Sequence, residues 1–261
     1  MKNQRSALFF DRFFSRPESF PINGQLDLTY RCNFRCVHCY GEGSHDRISE
    51  MTTRDVCRVI DILAREGCLW LDMTGGEPLL RQDFRRIYLC AWRRGFLVTL
   101  LTNGSLLTDS LVRFFKKYPP YAIEVTLNGI TPKVYESVTR VPGSFEKVMA
   151  NLKKIIRAKL PLRIKTNALT LNKDEVILIK KWAQENVPAP GGRGFSFSYD
   201  PMVFPRLNGD KAPCQYRLSP SQLSALRQSD TELSREYQDY LLASPCRGRR
   251  AADDLYHCDA W

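Results

Sequence analysis

Cys32, Cys36 and Cys39 stand within the eight residues CNFRCVHC, inside the stretch YRCNFRCVHCYGEG (30–43). In a reducing compartment, cysteines so close together point to metal or redox chemistry rather than to disulfides. A structural zinc ion takes four protein ligands, so C-x3-C-x2-C is one short. His38 is a candidate for the missing place, but it lies between Cys36 and Cys39, where the loop already turns to deliver the thiolates. An iron–sulfur cube also takes four ligands, all of them cysteine in simple electron carriers. Three thiolates leave one iron without a protein ligand, and an open coordination position is how a metal site binds and activates a substrate.

A second signal follows at TGGEP, Thr74 to Pro78. Gly75 and Gly76 let the backbone approach a ligand closely. Glu77 offers a carboxylate to a cation such as an α-ammonium group. Alone, this run also suits a glycine turn with a surface glutamate. Its place one strand–helix unit after the cysteines gives it weight.

The elements that position these motifs read as alternating strands and helices. Strands are expected at 25–30, 68–78, 96–104, 121–129, 160–172 and 194–201, and helices at 53–66, 83–94, 108–117, 144–158 and 173–186. Six strand-then-helix units without hairpin signals predict parallel strands joined by crossover helices. The glycine-bearing and polar motifs fall mainly at the carboxyl ends of these strands, the edge that carries the active site in barrel-like α/β folds. Beyond residue 202 the pattern changes to a loop and a helix from Ser219, and the tail is short of regular structure.

Composition narrows the class. With 261 residues, 43% hydrophobic and 26% charged, the chain has an ordinary globular balance. It contains no run of 18 apolar residues and no continuous apolar stretch near its start, so neither a membrane span nor a secretory signal is expected, and the location reads as cytoplasmic. The net charge of +11 is scattered over FRRIYLCAWRRG, FFKKYPP, NLKKIIRAK and IKKW, all helical patterns. Solvated helix faces account for it, which argues against a nucleic-acid partner. Nine cysteines, an odd number, do not form a disulfide framework; Cys57, Cys68 and Cys90 are expected as buried thiols acting as small hydrophobes.

With CNFRCVHC and TGGEP in this order on successive strands, the sequence resembles the radical S-adenosylmethionine enzymes over residues 25–202. The resemblance implies an α/β fold, a partial (β/α)6 barrel related to the TIM barrel, here with a short and mostly irregular C-terminal extension. It implies a [4Fe-4S] cluster on Cys32, Cys36 and Cys39, with S-adenosyl-L-methionine chelated at the free iron. It implies that Gly75, Gly76 and Glu77 receive the methionine amino group. One electron from the reduced cluster then cleaves the cofactor to a 5′-deoxyadenosyl radical that abstracts hydrogen from substrate, with flavodoxin or ferredoxin as the kind of reductant. By location, Tyr40 falls near the adenine. Thr126 takes a position where relatives often carry a serine that meets the ribose, and Asn128 stands where an aspartate is commoner. Lys165 and Asn167 share one sheet face by two-residue alternation, so both or neither line the cavity. Asn167 and Asn103 suit turn-forming as well as ligand contact.

The tail resembles, in part, the SPASM extension of peptide and sulfatase maturases, which holds auxiliary clusters. HCDAW sets Cys258 and Ala260 in register with its CxAG motif, but Trp261 replaces the glycine and the chain stops there. Either the chain is truncated or auxiliary clusters have been lost; Cys214, Cys246 and Cys258 are assigned no metal. The organisation expected is a lead-in (1–24), a core (25–202) and a linker, helix and incomplete SPASM-like segment (203–261). The substrate expected is a peptide or protein, with a leader peptide suited to the basic surface. A small molecule in cofactor synthesis and a non-catalytic cluster-binding scaffold stay open as alternatives.

Overall fold

Leu71, Met73, Val98, Leu100, Ile123, Val125, Leu162 and Ile164 recur at every second position of four neighbouring strands, and each is fully buried. That alternation gives one sheet face to the core and leaves the other for polar side chains. A computed structural model of the chain describes residues 21–41, 49–188 and 196–230. Its six strands are β1 (Asn23–Asp27), β2 (Trp70–Thr74), β3 (Leu97–Thr102), β4 (Ala122–Thr126), β5 (Leu162–Asn167) and β6 (Phe197–Asp200). They form one sheet in chain order, every neighbouring pair parallel. The architecture is the expected α/β partial barrel.

Parallel neighbours require crossovers, and here helices supply them. They are α1 (Thr53–Arg65), α2 (Phe84–Arg93), α3 (Asp109–Lys117), α4 (Pro132–Thr139), α5 (Ser144–Arg157) and α6 (Val176–Asn186). Residues up to Leu218 belong to one compact unit; a second begins at Ser219 and contains α7 (Pro220–Ser229). In α7 the Ser219 side chain and Gln222 form a reciprocal capping box. Residues 1–20 of the lead-in, Cys246, Cys258 and the HCDAW motif lie outside the described residues. No helix among the described residues is long and apolar enough to cross a membrane.

Two corrections to the sequence reading concern the helices. Helix α4 was not expected, because its eight residues sit between Gly129 and the Pro142–Gly143 turn. Thr131 nevertheless caps it, accepting from the Val134 amide, and Pro132 pre-sets its first turn. The second correction concerns Cys57 and Cys90. They face each other from α1 and α2 with Cα atoms 5.8 Å apart and are joined as a disulfide, rather than lying as separate thiols. Cys68 is a buried thiol, as expected.

Candidate active site

The cysteine segment leaves β1 at Leu28 and is seated on the end of α4. The amides of Arg35 and Val37 donate to the carbonyls of Thr139 and Val138, at 3.1 and 2.9 Å. These carbonyls belong to the last turn of a helix, where intrahelical partners are lacking. Val37 then packs into an apolar cluster with Val138, Leu169 and Val203, with Tyr216 against it. At these anchors the backbone turns, Cys39 N donating to Cys36 O at 3.0 Å. Cys32, Cys36 and Cys39 are all half-buried.

The Gly-Gly-Glu loop is stitched to the same segment. Gly76 N donates to Thr29 O at 2.7 Å and Glu77 N to Arg31 O at 2.8 Å, continuing the β1–β2 ladder past its last strand residues. Gly75 has φ +130°, and a Cβ there would stand 2.2 Å from the Thr29 carbonyl oxygen; one on Gly76 would stand 2.3 Å from that of Arg31. The close approach that demands both glycines is therefore backbone against backbone.

A cavity of about 330 Å³ opens at the carboxyl ends of the strands. Its wall includes Cys32, Cys36, Cys39, Tyr40, Gly75, Gly76, Thr126, Asn128, Lys165 and Asn167. These residues were named from sequence, and the structure brings them all together; Lys165 and Asn167 do line the same wall. Sequence reasoning missed Asp27, Glu124 and Asp200, three acidic residues on the wall, of which Asp27 and Asp200 end their strands. The inward register of Glu124 beside Thr126 was a signal that could have found it. Burial raises the Glu124 carboxyl above its ordinary value, with Lys165 and Arg163 opposing.

Glu77 is the exception. Its carboxylate is fully buried and does not line the cavity. It accepts from Thr102 Oγ1 at 2.8 and 2.9 Å, from the Asn103 amide at 2.8 Å and from the Leu79 amide at 3.1 Å. The side chain expected to meet an ammonium group instead ties the β2 loop to the end of β3. Glu77→Ala strands those donors, and a buried donor without an acceptor costs about 1–3 kcal/mol. The urea midpoint should fall accordingly. Burial also pushes this carboxyl up from 4.5 to about 7, against the pull of its donors. A carboxyl raised on folding contributes stability that is fully present below its unfolded value and lost as pH climbs through the folded one. Stability should decline between about pH 4.5 and 7 in the wild type, and that limb should vanish in Glu77→Gln.

Asn103 joins the two motifs. Its amide serves Glu77, while its Nδ2 donates to Asn33 Oδ1 at 2.9 Å and faces Cys32 Sγ at 3.8 Å. Asn33 Nδ2 in turn donates to Ser105 Oγ at 2.8 Å. Burial pushes the Cys32 thiol up to about 11, with the Glu77 and Cys39 charges adding. A thiolate at this position needs a cation beside it, which a coordinating iron provides.

Two observations test whether the wall fits a cluster with a polar ligand. Cys32, Cys36 and Cys39 all stand on the cavity wall, and a cube takes one thiolate per iron at separate corners, so the three need not meet at one metal ion. In addition, His38 Nδ1 and Asn128 Oδ1, both buried on the wall, have no hydrogen-bond partner. Buried polar atoms are normally paired, so these two suit a polar ligand. Burial holds His38 neutral, at about 4. The donor set fits.

The chain belongs to the radical SAM superfamily, whose model matches residues 26–183; its enzymes use an iron–sulfur cluster and S-adenosylmethionine. It is 31% identical over 160 residues to the AdoMet-dependent heme synthase of Methanosarcina barkeri (strain Fusaro / DSM 804), covering 61% of this chain and 46% of that one. It is 27% identical over 182 residues to AlbA, the antilisterial bacteriocin subtilosin biosynthesis protein of Bacillus subtilis (strain 168), covering 69% and 39%. Streptococcus suis SuiB, solved with its precursor peptide SuiA, shares the fold at TM-score 0.68 and 16% identity, over 90% of this chain and 50% of that one. The chain thus spans about half the length, or less, of these proteins.

Proposed function

We propose that this chain carries the catalytic core of a radical SAM enzyme acting on a side chain of a peptide or protein. The observation that carries the substrate class is the mouth of the cavity. Tyr40, Met202, Phe204 and Leu207 line it and are 45%, 59%, 54% and 63% exposed. A cluster of exposed apolar side chains around a reactive cavity suits a macromolecular ligand. The loop presenting them is well held: Leu207 N donates to Tyr40 O, Arg217 Nε to Val203 O, and Asn167 Nδ2 to Met202 O. The peptide-handling names of AlbA and SuiB support the same reading.

In this reading Cys32, Cys36 and Cys39 hold a [4Fe-4S] cluster. When bound and reduced, the cluster supplies the electron that cleaves S-adenosylmethionine to a 5′-deoxyadenosyl radical. The chain's own residues bind and orient. The main chain at Gly75 and Gly76 faces the methionine amino group, with Glu77 holding that main chain from behind. Thr126 and Asn128 offer a hydroxyl and an amide to the ribose, Tyr40 flanks the adenine at the mouth, and Lys165 and Asn167 close the β5 side. Residues 25–202 form the functional core, working with a flavodoxin- or ferredoxin-type reductant in the cytoplasm. The heme synthase relative favours a second reading, a small-molecule substrate in cofactor synthesis.

The test is to purify the chain without oxygen, reconstitute iron and sulfide, reduce it and add S-adenosylmethionine. About four irons per chain with 5′-deoxyadenosine formed is the expected result for one cube with an open iron. Absence of any cluster would overturn the reading. Deoxyadenosine formation stimulated by a small molecule but by no peptide would transfer the assignment to the second.

A further inference from the structure

Arg81 is only 6% exposed, although arginine is seldom buried without a dense set of partners. It sits just after the short 3-10 turn Pro78–Leu80 that follows the Gly-Gly-Glu loop. Its Nη1 donates to Leu28 O at 2.8 Å and its Nη2 to Met51 O at 3.0 Å. Leu28 is the residue before the cysteine-bearing segment and Met51 the residue after it. One guanidinium therefore grips the main chain at both feet of the segment that delivers Cys32, Cys36 and Cys39.

The grip is itself oriented. Asp83 accepts from Nε at 2.8 Å and from Nη2 at 2.7 Å, a bidentate pair, and also from Thr53 Oγ1 at 2.6 Å at the start of α1. Arg81 holds the Asp83 carboxyl down at about 2, so the pair stays charged at any working pH. A second, outer closure repeats the first. Glu50 accepts from Thr29 Oγ1, from Arg31 Nε at 2.9 Å and from Arg31 Nη2 at 3.3 Å, joining the same two feet through side chains.

We infer that Arg81 is a positioning residue of the metal site: it fixes both ends of the cysteine segment to the loop carrying Gly75–Glu77, so that the two walls of the cavity keep one spacing. This rests on the reading that the three cysteines hold the cluster. Lysine keeps the charge but cannot reproduce the planar fork that reaches two carbonyls and a carboxylate together.

The experiment compares the reconstituted full-length wild type with Arg81→Lys and with Ile155→Ala, a cavity variant in the buried face of α5. Iron loss to an excess of an iron(II) chelator is timed, and amide hydrogen exchange is followed along the chain. Arg81→Lys is expected to lose iron about tenfold faster than wild type, the scale on which outer-shell supports of metal sites act. Exchange should rise at residues 28–37 and 49–53 in particular, and Ile155→Ala should lose iron at close to the wild-type rate. Equal rates in Arg81→Lys and wild type, or equal acceleration in Ile155→Ala, would overturn the inference. If Arg81→Lys does not fold, Asp83→Asn takes its place; it frees the guanidinium from its orienting carboxylate and should speed iron loss in the same direction, while a rate matching Ile155→Ala counts against the clamp. Should the wild type itself bind no iron, the proposed function fails, and the exchange pattern alone still decides whether Arg81 holds the two feet.

Discussion

A Cys36→Ala chain reconstituted without oxygen is expected to carry no cluster and to form no 5′-deoxyadenosine, while folding as the wild type does. The chemical half of this follows from number: three thiolates are already one fewer than a simple cube uses, so two leave a second iron bare. The structural half follows from the seat. Residues on both sides of Cys36 are held by main-chain bonds, Arg35 N to Thr139 O and Val37 N to Val138 O, and none of these needs the thiol. With those main-chain bonds intact, the urea midpoints of the two chains, compared without cluster, should lie close together. Visible absorbance and iron content, set beside the urea midpoint, separate the two halves. An unchanged brown protein would remove Cys36 from the ligand set.

Gly75→Ala should have the largest effect on folding. The new Cβ would stand 2.2 Å from the Thr29 carbonyl oxygen, and the neighbour is main chain in a hydrogen-bonded ladder, which cannot swing aside as a side chain can. A φ of +130° adds strain of about 1–3 kcal/mol for a residue with a Cβ, and overpacking adds a similar amount. A loss of about 3 kcal/mol or more is expected from the two together, read as a lowered urea midpoint. Because Gly76 N and Glu77 N bind Thr29 O and Arg31 O, iron retention should fall with it. A midpoint shift below about 1 kcal/mol would show that the ladder past β1 yields easily and does not fix the cysteine segment.

The sheet was legible because its signals are local. Alternating apolar residues in β2 to β5, with Gly67 and Gly95 closing the first two helices, mark the central strands without knowledge of any distant contact. Helix α4 was not, since eight residues between a glycine and a proline carry too little periodicity to outweigh those breakers. The cysteine and Gly-Gly-Glu motifs told which residues gather at the strand ends, but not which way they face. Glu77 turns inward because Thr102 and Asn103 offer it donors from a strand end 25 and 26 residues away. Gly75 and Gly76 were read for a ligand, yet the atoms they must avoid belong to Thr29 and Arg31. Cys57 and Cys90, 33 residues apart, meet only because α1 and α2 lie side by side. In each case the missing information was a long-range neighbour, which spacing along the chain does not encode.

Val37 carries a consequence for how such a protein ages. The side chain between two cysteines is buried with Val138, Leu169 and Val203, in an apolar cluster with Tyr216 against it. Iron–sulfur cubes are destroyed by oxygen, and in a chain whose metal is its main structural tie each such event would melt the receptor. Here Val37 and the main-chain bonds of Arg35 and Val37 hold the segment, so loss of a cluster is expected to leave it folded. On that expectation, repair would ask only for fresh iron and sulfide.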